Sequence, residues 1–248
     1  HSEVGSSYIH FNYTPDGDKT TASLFGDVPR GVMLDQPPIF LGGQGGTVGP
    51  VRVGYGTVVA AGSVLLEDVL EDGQLVAAVP PPGFKRERQP RTYRNLRRIV
   101  RNNVLYLANL TAFEQWYRTV RQPFFAGQEL GPLVYEGALE MLALARKERV
   151  KRLVAMARKV PDATPEGREF AEQAESLCAL FTGHTDVPSD EAFVSSVRPA
   201  GGNYLETIQG LAPDVRMLGV EWLERIVSSL CERADTVVGT MNLFDRQR

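Results

Sequence analysis

"LGGQGGTVGPVRVGYGTVVAAGSV", running from Leu41 to Val64, is the stretch on which the reading of the fold turns. Written in sixes it becomes LGGQGG, TVGPVR, VGYGTV and VAAGSV, which sets Leu41, Thr47, Val53 and Val59 in one phase. Gly45, Val51, Thr57 and Ser63 make a second column, and Gly42, Gly54 and Ala60 follow three members of the first as small residues. Self-similarity at six residues is the spacing of hexapeptide coils. Each unit supplies one short parallel strand, both columns face inward, and glycines near the corners permit backbone angles other residues resist. The expectation is a β-solenoid, a short left-handed parallel β-helix over residues 1–76.

The phase reaches back toward the amino terminus, where VGSSYI (Val4 to Ile9) is one hexapeptide and His10 opens the next. His10 thereby falls in an inward column, with packing rather than general-base chemistry as its expected role. Two loop insertions interrupt the coil. Pro15 to Lys19 reads as a polar excursion, and after "FGDV" at Phe25 the next in-phase residue is Leu41, sixteen positions on instead of six. The second excursion, "PRGVMLDQPP" from Pro29 to Pro38, carries Val32, Met33 and Leu34, which a surface loop in water rarely holds. It should contact a neighbouring subunit or the helices. After Val69 the rhythm stops, and residues 77–90 form a Pro-rich basic linker.

From Tyr93 the period becomes helical, so residues 91–248 read as an α-helical domain. Leu96, Val100, Leu107 and Leu110 share one face, widened by Ile99, Val104, Trp116 and Tyr117. Further helices are expected at 131–159, at 165–181 after a Thr164-Pro165 start, at 189–197 and at 213–238. "GGNY", Gly201 to Tyr204, reads as a turn before a helix. Trp116, Tyr117 and Trp222 are expected in the core rather than as stacking platforms.

At 248 residues, with 43% hydrophobic and 23% charged residues, the chain falls outside the disordered and fibrous classes. A net charge of -3 argues against a dedicated nucleic-acid binder. Cys178 and Cys231 lie in apolar helical stretches far apart, the pattern of buried free thiols in a reducing cytoplasm. No apolar run is long enough to cross a membrane, and three histidines leave little material for a metal site. "GGQGG" falls within coil phase, so tight corners are expected there rather than a phosphate loop. No Ser-His-Asp or Cys-His arrangement can be placed.

"VGSSYIHFNY", "FGDV" and "VGPVRVGYGTVVAAGSV" followed by "AAVP" resemble the carboxy-terminal hexapeptide region of the bacterial bifunctional glucosamine-1-phosphate acetyltransferase and N-acetylglucosamine-1-phosphate uridyltransferase. The likeness covers roughly the first eighty residues. "RNNVLYLANLTAFEQWY" is more weakly similar to bacterial proteins that join such coils to helices. The resemblance implies acetyl-CoA as cofactor, with contacts at Asn12, Tyr13 and Ala61, a homotrimer, and a sugar phosphate or nucleotide as ligand. Glu3 stands where the family has a substrate-binding Asn, Ser6 replaces Ala, Gly43 replaces Ser, and Ala78 replaces an Arg near the cofactor. An Arg lost there removes a charge-assisted bond of about 1.5–3 kcal/mol. The family's catalytic His would precede His1, so the expectation is a carboxy-terminal portion of something longer.

Lys85, Arg86, Arg88 and Arg91 lead into Arg94, Arg97, Arg98 and Arg101 at helical spacing opposite the apolar stripe. A solvated outer face is the plain expectation, and a phosphate-bearing ligand or acidic partner the sharper one. Two functions follow. One is a sugar-nucleotide or acyl transferase of the UDP-N-acetylglucosamine pyrophosphorylase-like kind, in which this chain is not catalytic by itself and its catalytic residues are unassigned. The other is a non-catalytic trimerisation and regulatory scaffold with a helical docking domain. A γ-class carbonic anhydrase ranks third, since the coil lacks a His array for zinc.

Overall fold

The computed structural model describes residues 2–4, 7–11, 22–79, 82–87, 93, 95–161, 163–183, 187–197 and 203–244. Among the described residues nine strands of two or three residues come first: β1 (Ser2–Val4), β2 (Ile9–Phe11), β3 (Leu24–Phe25), β4 (Ile39–Leu41), β5 (Gly46–Val48), β6 (Arg52–Val53), β7 (Val58–Val59), β8 (Val64–Leu65) and β9 (Leu75–Val76). They pair in parallel as three small sheets, in the orders β1-β4-β7-β9, β2-β5-β8 and β3-β6. A four-residue helix, α1 (Val28–Gly31), interrupts them.

This arrangement corrects the expected left-handed β-helix. The three sheets are separate and none closes, and the sixfold phase is kept for only part of the pairing. Phe40 pairs with Val58 and Thr47 with Leu65, eighteen positions on. Val4, however, pairs with Leu41, thirty-seven positions on, and Phe25 with Val53, twenty-eight on. Insertions between paired strands break the equal repeat that a solenoid stacks, and most of the described chain is helical. What the phase did mark is burial. Leu41, Thr47, Val53 and Val59 are buried, as are Val51, Thr57 and Ser63, and with Ile39, Tyr55 and Leu65 the apolar ones make a core of their own. His10 departs from its column: it is exposed, its ring 5.6 Å from that of Phe25.

The helices follow their sequence signals closely. Asn95 caps α2 (Leu96–Trp116), its side chain accepting from the Arg98 N–H. The ladder then widens to a π-turn over Tyr117–Arg121, just ahead of Pro123, which has no N–H to give. After α3 (Gln122–Phe125) and α4 (Gly131–Ala157), Thr164 caps α5 (Pro165–Ala179) with Pro165 at its first position. Then come α6 (Glu191–Ser196), α7 (Tyr204–Gln209) capped by Asn203, and α8 (Pro213–Val237). Trp116, Trp222, Phe170, Phe181 and Phe193 lie fully inside their core, and both cysteines are free and buried.

The strands and helices are joined by the segment that the sequence marked as an apolar excursion. Met33 is fully buried in the helical core, and Val32 nearly so. Met33 and Phe193 fill the space that a Cβ on Gly219 of α8 would occupy, so glycine there lets the two units approach. Arg216 of α8 pairs with Asp35 at 2.7 Å. The Asn109 Oδ1 accepts from the Val28 N–H at 2.8 Å, tying α2 to the start of α1.

Candidate functional site

Between the strands and helices lies a cleft of about 260 Å³. Leu24, Val53, Val69 and Leu70 wall it from the strand side, and Leu105, Asn109, Glu224, Val227 and Ser228 from α2 and α8. Asp27, Arg30 and Arg52 bring charge into it.

Its rim is built from the "FGDV" turn. Gly26 has φ +75°, and the Tyr55 ring occupies the position of any Cβ there. The Tyr55 hydroxyl accepts from the Asp27 N–H at 3.0 Å and donates to the Asp27 carbonyl. Burial first, and then the charge of Asp27, push the Tyr55 hydroxyl up to about 12. Asp27 caps α1 by accepting from the Arg30 N–H, and its second oxygen holds the Arg30 side chain at 2.8 Å. Arg30 also reaches Asp72 at 2.6 Å. Burial opposes its charge, but hydrogen bonds and charge from Asp72 and Asp27 prevail and raise its pKa.

Asp68, next to Val69 in sequence, lies outside the cleft lining. Its carboxylate, 8% exposed, accepts from the Arg52 backbone N–H at 3.1 Å, from Arg101 at 2.7 Å, from Arg98 at 3.3 Å and from the Asn102 amide at 3.1 Å. The Asn102 amide also donates to the Pro50 carbonyl at 3.2 Å. Two of the arginines expected on a solvated outer face thus turn inward onto one acid. Arg97 is exposed, and Arg94 lies outside the described residues.

The side chain of Arg52 stands apart from this network. It is half-buried, and among the described residues its guanidinium has no hydrogen-bond or ion-pair partner. Burial lowers its pKa, opposed by the charge of nearby Asp68. Across the cleft, Glu224 is pushed up by burial and by the charge of Asp27, with Arg30 acting against them. The cleft thus holds both a guanidinium with no hydrogen-bond partner among the described residues and a carboxyl that keeps its proton more readily than usual.

Of the cofactor contacts implied by the resemblance, Asn12 and Tyr13 lie outside the described residues. Ala61 sits on an exposed turn and does not line the cleft. Ala78 accepts from the Val64 N–H and donates to the Ser63 hydroxyl through its backbone, so its place is structural. Among the described residues no group of three His, Cys, Asp or Glu is placed to hold a metal ion. The same residues include no helix long and apolar enough to cross a membrane. No protein-family model, curated protein or solved structure matches the chain. Sequence reasoning missed Arg52, Asp68 and Glu224. Arg52 alternates with inward Val51 and Val53, a pattern that marks it as outward-facing without showing that helices cover that side.

Proposed function

We propose that this chain is a non-catalytic binding scaffold that holds a small anionic ligand, of the phosphate or carboxylate class, in the cleft between its strands and helices. The observation that carries this reading is the half-buried Arg52 guanidinium with no hydrogen-bond partner among the described residues. Burying a charge costs free energy unless it is paired, and a planar guanidinium suits two oxygens of one anion. Ser228 and the Asn109 side chain add polar lining, and the cleft volume suits a compact ligand. Free buried thiols at Cys178 and Cys231 suit a reducing compartment such as the cytoplasm.

The test is calorimetric titration with inorganic phosphate, pyrophosphate and citrate. At least one is expected to bind wild type and to lose about tenfold or more in Arg52→Gln, the equivalent of one charge-assisted hydrogen bond. Equal affinity in both proteins, or no binding by any of the three, sinks the reading. Acyl transfer, the competing role, is read by thiol release from acetyl-CoA with glucosamine-1-phosphate. None is expected, and sustained release dependent on the amino sugar would replace the scaffold by an enzyme.

A further inference from the structure

Helix α4 carries two apolar stripes about 120° apart around its axis, and only one of them meets the other described residues. Tyr135 packs on Phe125 at 5.9 Å, and Arg149, Leu153 and Met156 are buried farther along. Along the other, Leu133, Val134, Met141 and Leu144 stand in water with Leu130 just before the helix, from 49% exposed at Leu144 to 66% at Leu133 and Met141. At 100° per residue these five fall on one stripe about 100° wide. They leave on the order of 500 Å² of apolar surface uncovered, near the upper end of what a monomer shows.

We infer that this stripe is the contact between two copies of the chain, crossing antiparallel at Gly137. Two pairs of the stripe lie symmetrically about that glycine: Leu133 and Met141 are four positions either side and Leu130 and Leu144 seven, while Val134 has Glu140 as its mirror. A two-fold axis there sets Leu133 on the partner's Met141, and Leu130 on the partner's Leu144. A Cβ at Gly137 would meet nothing within 4 Å, so the backbone is open to close approach. One edge of the stripe carries exposed Glu129, Glu136 and Glu140 and then exposed Lys147; the antiparallel pair sets each Lys147 near the partner's Glu129, while Glu136 and Glu140 lie near their own copies at the axis and oppose the contact. Pairing that covers both stripes fully buries about 1,000 Å² in total, the lower limit for a specific interface.

Sedimentation velocity across the micromolar range tests this. Wild type should sediment as a dimer, and Met141→Glu and Leu133→Glu should each raise its dissociation constant at least tenfold while leaving the helical circular dichroism unchanged. Glu129→Lys should weaken the dimer several-fold, and adding Lys147→Glu should restore it. Gly137→Cys should cross-link as a disulfide dimer under mild oxidation. A monomer at every concentration overturns the inference. So does an assembly that survives both stripe variants, or one lost only on Val58→Glu in the exposed Phe40, Val58 and Leu75 row of the four-stranded sheet.

Discussion

At Gly26 two constraints coincide, a positive φ and the Tyr55 ring where a Cβ would stand. Gly26→Ala should therefore cost at least about 2 kcal/mol in denaturant melts, combining backbone strain with overpacking. A loss below about 0.5 kcal/mol would show that the turn can relax. Tyr55, Cys178 and Cys231 each keep their protons up to about pH 12, against ordinary values of 10 for the phenol and 9 for the thiols. The folded chain holds these protons where the unfolded chain releases them. Their contribution to stability is whole below about pH 9 and falls as pH rises toward 12, which urea melts along that range should record. Glu224 acts on binding instead. Its raised pKa, set by burial and Asp27 against Arg30, means that its negative charge fades as pH falls at values where a free Glu is still ionised. Sulfate, whose own charge is constant over that range, should bind more tightly as pH falls in wild type. Glu224→Gln should bind it several-fold more tightly at neutral pH and lose most of that pH dependence.

Among the elements, helices were legible because their signals are local. Thr164 with Pro165, and Asn203 before Tyr204, fix helix starts through a side-chain oxygen within three residues of its target. The strands were legible as buried columns but not as an architecture, because six-residue phase speaks only to in-and-out alternation. Whether the turns stack evenly depends on the insertions, and these differ between successive pairings. The cleft was not legible at all. Asp68 meets Arg98, Arg101 and Asn102 from across the linker, and no local pattern marks an acid whose partners lie thirty or more residues away. The same distance explains why the arginine series read as an outer face. Asp68→Ala removes the only described carboxylate within ion-pair reach of Arg98 and Arg101 and should cost about 3–5 kcal/mol. Asp68→Leu in combination with Arg98→Met and Arg101→Met should recover part of that loss in thermal melts. No recovery would show that packing rather than charge holds the seam.

Over the whole molecule, Met33 and the Asp68 cluster make strands and helices mutually dependent. Unfolding followed by tryptophan fluorescence reads the helices, where Trp116 and Trp222 sit, and pulsed amide hydrogen exchange over residues 39–76 reads the strands. The two should lose structure at one urea concentration, and Asp68→Ala should separate them. Separate midpoints in wild type would mean that the seam is too weak to couple its two sides. The buried Met33 side chain has a practical consequence for anyone cutting the chain. Residues 91–248, expressed without the strands, would lose the methionine that fills the space above Gly219 and would expose Phe193 beside it. The helices are not a portable cassette: such a fragment is expected to aggregate or bind apolar dyes, and a peptide spanning Val28 to Gln36, supplied in trans, is the shortest reagent that could close the gap.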